Sequence, residues 1–396
     1  MIVRLGDITK ILAGQSAPKV FSNNGIPFIR AGHLDDLING VNLDSLPKVS
    51  DDVAKKCKLK KIPKGSILFA KSGMSATLNR IYTTDEECYF VSHLAAILPN
   101  KSIETSYVSN FLTWFKPSKL VLDSAYPSIR LEDISNLEIP LPPLETQKNI
   151  AQILDDAAAL RNKTAQLLKE YDALAQSIFL DMFGDPVSNN KKWQVNTLKK
   201  LSTKIHSGNT PKGGSKVYIE KGITFFRSQN VWKNKIIYED VAYIDQITHS
   251  KMIKSSLKHR DILMTKTGRI NTENSSLGRA AMYLGEDDKA NVNGHVYLIR
   301  LKKDIINEFV LHILTTKEYR EYIRRVCVGG IDKRQLNKDH LENFPIINPP
   351  VELQKQFVEK LLLIEQQKEL AKQELKESED LFNCLLQKAF KGELVK

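Results

Sequence analysis

The chain has 396 residues, of which 42% are hydrophobic and 26% charged, the composition of a soluble globular protein too long for one typical domain. Lys and Arg outnumber Asp and Glu by 58 to 46, a net charge of +12, which points to an anionic partner, nucleic acid foremost. Cys57, Cys88, Cys327 and Cys384 show no C-x-x-C spacing, the start "MIVRLGDITK" lacks the apolar core of a signal peptide, and no long apolar run occurs; these exclude a zinc ribbon, a redox pair and a membrane span, and fit a reduced, cytoplasmic protein.

From residue 1 to about 140, short Val/Ile/Phe/Tyr runs alternate with Gly, Pro and Asn, which predicts strands and turns, with a helix near "SYVSNFLTWFK" from Ser106. "IPLPPLETQKNIAQIL" then opens a long helix. Pro142 and Pro143 suit a helix start, where a missing N–H is harmless, and Glu145 meets the positive end of the helix dipole. Apolar residues recur at Ile150, Leu154, Ala157, Leu168, Tyr171, Ala175, Ile178 and Met182, in steps of three and four that mark a coiled-coil seam. Gly184 ends the helix. A second strand-rich stretch follows to 347, with a helical patch from Ile306. A second long helix opens at Pro349-Pro350 and carries Phe357, Leu361, Ile364, Ala371, Leu375, Phe382 and Leu385 to Gly392. Each long helix is expected to run about 57 Å, at about 1.5 Å per residue.

The two junctions are one motif written twice. Pro142-Pro143, Glu145 and Gln147-Lys148 match Pro349-Pro350, Glu352 and Gln354-Lys355, all 207 residues apart. Further matches keep the same order in both halves: "RLGDITKILAGQSAPK" with "TLKKLSTKIHSGNTPK", "IPFIRAGHL" with "ITFFRSQNV", "GSILFAKSG" with "RDILMTKTG", and His93 with His295. This is a duplicated α+β domain, not a solenoid. The stripes agree even to a charged break at Arg161 and Lys368, so the helices are expected to pair with each other. Antiparallel pairing gives approximate two-fold symmetry within one chain and two units held apart by a rod, suited to two DNA half-sites.

The chemistry expected of the loops is recognition. "NPPV" at Asn348–Val351 lacks the aromatic residue that an amino-group methyltransferase stacks on its target base, and no Gly-x-Gly occurs for a cofactor loop. "GNTPKGGS" places Gly214 where a phosphate-binding loop needs lysine. No metal cluster is proposed. Base edges call for Arg, Asn and Gln, and phosphates for Lys, Arg, Ser and Thr. The first half offers Arg30, His33, Lys71, Ser72, Asn79, Arg80, Tyr126 and Arg130; the second offers Arg227, Gln229, Asn230, Lys266, Thr267, Arg269, Asn271, Arg279, Lys333 and Arg334, all in polar loops that follow apolar strands.

The repeated "PLPPLETQKNIAQIL" junction, the "LDMFGDP" exit from the first helix and the closing "LLQKAFKGEL" resemble the specificity subunit of type I restriction–modification systems over the whole chain. The resemblance implies target-recognition domains at 1–140 and, with a linker, 184–347, and conserved spacer helices at 141–183 and 348–396. It implies a non-catalytic subunit that reads bipartite double-stranded DNA, docks two methyltransferase subunits and serves a restriction subunit. S-adenosylmethionine, ATP and Mg would then belong to partner chains. A coiled-coil adaptor with two protein-binding domains is the competing reading; it leaves the basic charge and the Arg/Lys/Asn loops without a role.

Overall fold

The computed structural model describes residues 1–394 except 101, 271, 273 and 331. Asn271 therefore lies outside the described residues. The chain forms two compact units, one made of Met1–Leu167 with everything from Ala371 onward, the other of Leu168–Leu370. The first long helix spans Leu144–Phe183 and the second Val351–Lys391. Each compact unit takes in part of each helix, whereas the boundaries expected from the sequence set the helices apart as segments of their own. Among the described residues no helix is long and apolar enough to cross a membrane.

The first unit is built on a four-stranded antiparallel sheet in the order Thr9–Ala13, Leu94–Pro99, Ile67–Ala70, Ile81–Thr83. Ile67–Ala70 is buried at all four positions, which is why it reads as an apolar run without alternation. Successive side chains still go to opposite faces. Ile67, Phe69, Ala95 and Ile97 join a core with the helices, while Leu68, Ala70, Leu94 and Ala96 join a second core under a smaller sheet. In that smaller sheet Ile26–Ile29 pairs antiparallel with Lys48–Val49 and parallel with Tyr89–Phe90.

The second unit repeats this plan. Its four-stranded sheet runs Ser202–Ser207, Val296–Leu301, Ile262–Thr265, Ala280–Met282, and in its smaller sheet Ile223–Phe226 pairs antiparallel with Ala242–Ile244 and parallel with Ala290–Val292. Ile262 and Met264 face the helical core and Leu263 and Leu298 the other. The repeated glycines have one purpose: a Cβ on Gly14 would stand 2.2 Å from the Phe90 carbonyl oxygen, and one on Gly208 would stand 2.2 Å from those of Val292 and Asn293. The second unit adds a three-stranded sheet in which Arg334–Gln335 pairs with both Thr267–Gly268 and Val328–Gly329.

The repeated glutamine explains the junction. Gln147 Nε2 donates to the Pro142 carbonyl at 2.8 Å, and Gln354 Nε2 donates to the Pro349 carbonyl at 2.8 Å. Both side chains are buried, so each amide satisfies a carbonyl just ahead of the helix that would otherwise be left unpaired. Gln147 Oε1 also accepts from the Glu104 N–H at 3.0 Å, tying the helix to its unit.

In both units the two long helices pack antiparallel. In the second, Phe183 meets Phe357 with ring centroids 5.6 Å apart, and Asp172, eleven residues earlier, pairs with Lys368, eleven residues later, at 2.7 Å. In the first, Ile150, Leu154 and Ala157 share a core with Phe382, Leu386, Ala389 and Phe390. The charged break is accommodated twice: the Arg161 guanidinium lies 4.7 Å over the Phe382 ring, and Lys368 bridges Asp172 and Glu365. Of the seam residues, Ile150, Leu154, Ala157, Phe357, Leu361, Ile364, Ala371 and Phe382 are buried, while Leu168, Tyr171, Ile178, Leu375 and Leu385 are half-buried. Phe179, Phe183, Leu386 and Phe390 are buried outside the predicted stripe, because near its ends each helix buries a second face against a globular unit.

Candidate nucleic-acid interface

Three stretches that are far apart in sequence converge in each unit. In the first, the strand Ile26–Ile29 ends at Arg30 and turns into the short helix Ala31–His33, where the Arg30 N–H donates to His33 Nδ1 at 3.2 Å. Burial, reinforced by the Arg30 charge, lowers the His33 pKa. The second unit makes the same turn at Ser228–Asn230, the Arg227 N–H donating to Asn230 Oδ1 at 2.9 Å.

The second and third stretches pair as a short ribbon. In the first unit Ser72 faces Ser128, the Gly73 N–H donates to Pro127 O at 2.9 Å, and the Ile129 N–H donates to Lys71 O at 2.7 Å. In the second, Thr267 faces Gln335, Gly268 faces Arg334, and the Leu336 N–H donates to Lys266 O at 2.9 Å. His93 and His295 take matching places: their carbonyls accept the N–H groups of Lys71 and Lys266, each at 2.8 Å. Ser72 Oγ also lies 2.7 Å from His93 Nδ1. In the first unit an ion pair links the turn after Arg30 to the loop that follows Ser72, and further contacts anchor the stretches to their surroundings. Arg80 pairs with Asp35 at 2.9 Å, and Asn79 Oδ1 accepts from the Ser118 N–H at 2.8 Å. Arg30 stands 5.0 Å over the Phe21 ring, and Lys266 5.4 Å over that of Tyr297. Arg130, Tyr126, Arg269 and Lys333 are exposed. A cavity of about 420 Å³ in the second unit is lined by Thr267, Arg269, Asn274, Ser275 and Lys333, among others.

Several predicted contacts are turned inward instead. Arg279 is only 7% exposed. Its Nε donates to Ser275 O at 3.0 Å, Nη2 to Asn274 O, and its guanidinium lies 3.8 Å over the Trp232 ring. It braces the loop from within rather than facing a ligand, since a guanidinium is satisfied equally by carbonyls and an aromatic face. Asn230 is fully buried and donates to the carbonyls of Ile237 and Asp240. Arg227, half-buried, pairs with Asp240 at 3.0 Å, and Arg334 Nη1 donates to Cys327 O at 3.0 Å; Gln229 instead stays exposed, its Nε2 donating to Asp240 at 2.9 Å on the surface. Among the described residues, no group of three or more His, Cys, Asp and Glu side chains is placed to hold a metal ion.

Two copies of one scaffold, each presenting polar loops with different side chains, fit what the chain is similar to. The family model "Type I restriction modification DNA specificity domain" matches residues 1–170 and 190–379. The MjaIX type I restriction enzyme specificity subunit of Methanocaldococcus jannaschii is 29% identical over 206 residues, 50% of this chain and 41% of that protein. The MjaVIII specificity subunit of the same organism is 24% identical over 266 residues, 64% of this chain and 61% of that protein. The chain thus spans less than two thirds of either relative. A crystal structure of a type I restriction–modification S subunit from M. genitalium shares the fold, with a TM-score of 0.55 and 15% identity over 98% of this chain and 96% of that one.

Proposed function

The chain belongs to the type I restriction modification DNA specificity family, and from that membership we propose that it reads a bipartite DNA target, one half-site per unit, and directs a DNA adenine methyltransferase to it. The observation that carries this reading is the doubled ribbon. One backbone frame recurs in both units while the side chains at its tips differ, as two readers of two different half-sites require. Base edges are read by side chains, and the frame positions them. The adaptor reading finds no support in the family match.

Partner chains supply the chemistry. The two long helices expose leucines that a single chain gains nothing by exposing: Leu160 at 53% and Leu381 at 47% in the first unit, Leu362 at 51%, Leu363 at 62% and Leu370 at 55% in the second. They suit apolar helices of two methyltransferase subunits. S-adenosylmethionine belongs to those subunits, and ATP and Mg to an associated restriction subunit. The assembly works on DNA in the cytoplasm.

The test is mapping of methylated adenines in cells that carry the partner methyltransferase with and without this chain. A split motif is expected only when the chain is present. A verified complex with active methyltransferase and no chain-dependent motif would sink the reading.

A further inference from the structure

The ribbon has the same register in both units. Ser72 faces Ser128 as Thr267 faces Gln335, and the Lys71 and Lys266 carbonyls accept from Ile129 and Leu336 in matching places. The next step along each ribbon pairs Gly73 with Pro127 in one unit and Gly268 with Arg334 in the other. The residues that follow these pairs in the two strands are Met74 and Tyr126 in the first unit and Arg269 and Lys333 in the second, where both cations line one cavity.

These two scaffold positions are where the units differ most in chemistry. Met74 is 68% exposed and Tyr126 82%. Two large apolar side chains held in water at the tip of a polar ribbon have no packing role within their own unit. Leu78 and Leu122 of the same unit are also exposed, at 51% and 89%. In the second unit the matched pair is two exposed cations. The scaffold is held constant while the tip switches from apolar to cationic.

We infer that this tip pair is the specificity-determining element of each unit: Met74 and Tyr126 contact thymine methyl groups in the first unit's half-site, and Arg269 and Lys333 contact guanine edges in the second's. In the major groove only thymine presents a methyl group, and only guanine presents two adjacent acceptors, O6 and N7, to Arg or Lys. The first unit's two-stranded ribbon is narrow enough to enter that groove; in the second unit the strand Val328–Gly329 lies along the far side of Arg334–Gln335, and Arg269 and Lys333 stand in the loops beyond the paired residues. The inference rests on the DNA-reading function proposed above and adds which side chains read and what they read.

The test uses the full chain in its complex with the methyltransferase and duplexes carrying the mapped motif. Each thymine is replaced in turn by deoxyuridine, which removes only the methyl group, and each guanine by 7-deazaguanine, which removes only N7. Loss of one thymine methyl in one half-site is expected to weaken binding about fourfold, the value of a buried methylene. Loss of one guanine N7 in the other half-site is expected to weaken it about tenfold. Met74→Ser with Tyr126→Ser should abolish the thymine effect while the guanine effect in the other half-site persists, which also shows that the chain is folded. Arg269→Ala with Lys333→Ala should do the reverse. A chain that reads both half-sites yet is indifferent to deoxyuridine overturns the inference while leaving the DNA-reading function standing. So does a thymine effect that survives the Met74 and Tyr126 substitutions. A wild-type complex that discriminates no sequence at all would instead remove the function itself.

Discussion

Replacing Phe179 by alanine is expected to destabilise the second unit by about 3–5 kcal/mol, the range for deleting a buried aromatic side chain. Phe179 is fully buried. Its ring centroid lies 5.1 Å from that of Phe183, 6.0 Å from Phe309, 4.8 Å from His312 and 5.3 Å from Phe357. The cluster joins the first long helix, the second long helix and the globular part of the unit, so the cavity cannot close by movement of one element. Leu174, five residues earlier on the same helix and 45% exposed, is the control: Leu174→Ala is expected to change stability by about 0.5 kcal/mol or less. Urea unfolding followed by fluorescence compares the two. A loss below about 1 kcal/mol for Phe179→Ala would show that the aromatic cluster does not hold the helices to the unit.

Acid is expected to weaken the same region. His312 is largely buried between Phe179 and Phe357, each ring centroid 4.8 Å away, and its Nε2 has no hydrogen-bond partner. Burial lowers its pKa from 6.5 to about 4. A lowered base holds fewer protons in the folded chain than in the unfolded one between those values. Stability is therefore full above about pH 6.5, falls as the pH drops towards 4, and has lost its whole share below that; the share is roughly 3 kcal/mol. His312→Phe keeps a ring in the stack and removes the titration. The stability difference between variant and wild type should then change across pH 6.5 to 4 and stay flat above it. A difference that is constant with pH would place the titration elsewhere.

The parts of this fold legible in the sequence are those with a period or a punctuation mark. The helix starts are marked by paired prolines, and the seam of Ile150, Leu154, Ala157 and their partners follows from steps of three and four. Other parts carry no such mark. Strands of two residues such as Val328–Gly329 and Arg334–Gln335 are too short for alternation to register, so the extra sheet of the second unit could not be foreseen. Phe179 and Phe390 lie off the seam because a second partner, a globular unit, claims a second face of the helix. In the loops, residue type alone does not tell a reader from a brace. Arg279 and Arg269 share one glycine-bearing loop, yet one is buried over Trp232 and the other is exposed. The buried role of Gln147 and Gln354 was visible as a repeat, but its reason needed the carbonyl that each one satisfies.

The division of the units fixes an order of events on the ribosome. The second unit is one unbroken stretch, Leu168–Leu370, but the first needs residues from Ala371 onward. Phe390 closes its core, with ring centroids 5.3 Å from Tyr107 and 5.5 Å from both Phe111 and Trp114. Translation proceeds at about 5–20 residues per second, so the apolar faces of Tyr107, Phe111 and Leu154 wait on the order of 10–60 s for their last partner. The domain that emerges first is thus completed last, and during that wait its helical face is open to chaperones and proteases. Pulse proteolysis of nascent chains stalled before and after residue 390 should find the first unit cleavable in the former and protected in the latter; equal protection in both would show that the core closes without its C-terminal helix.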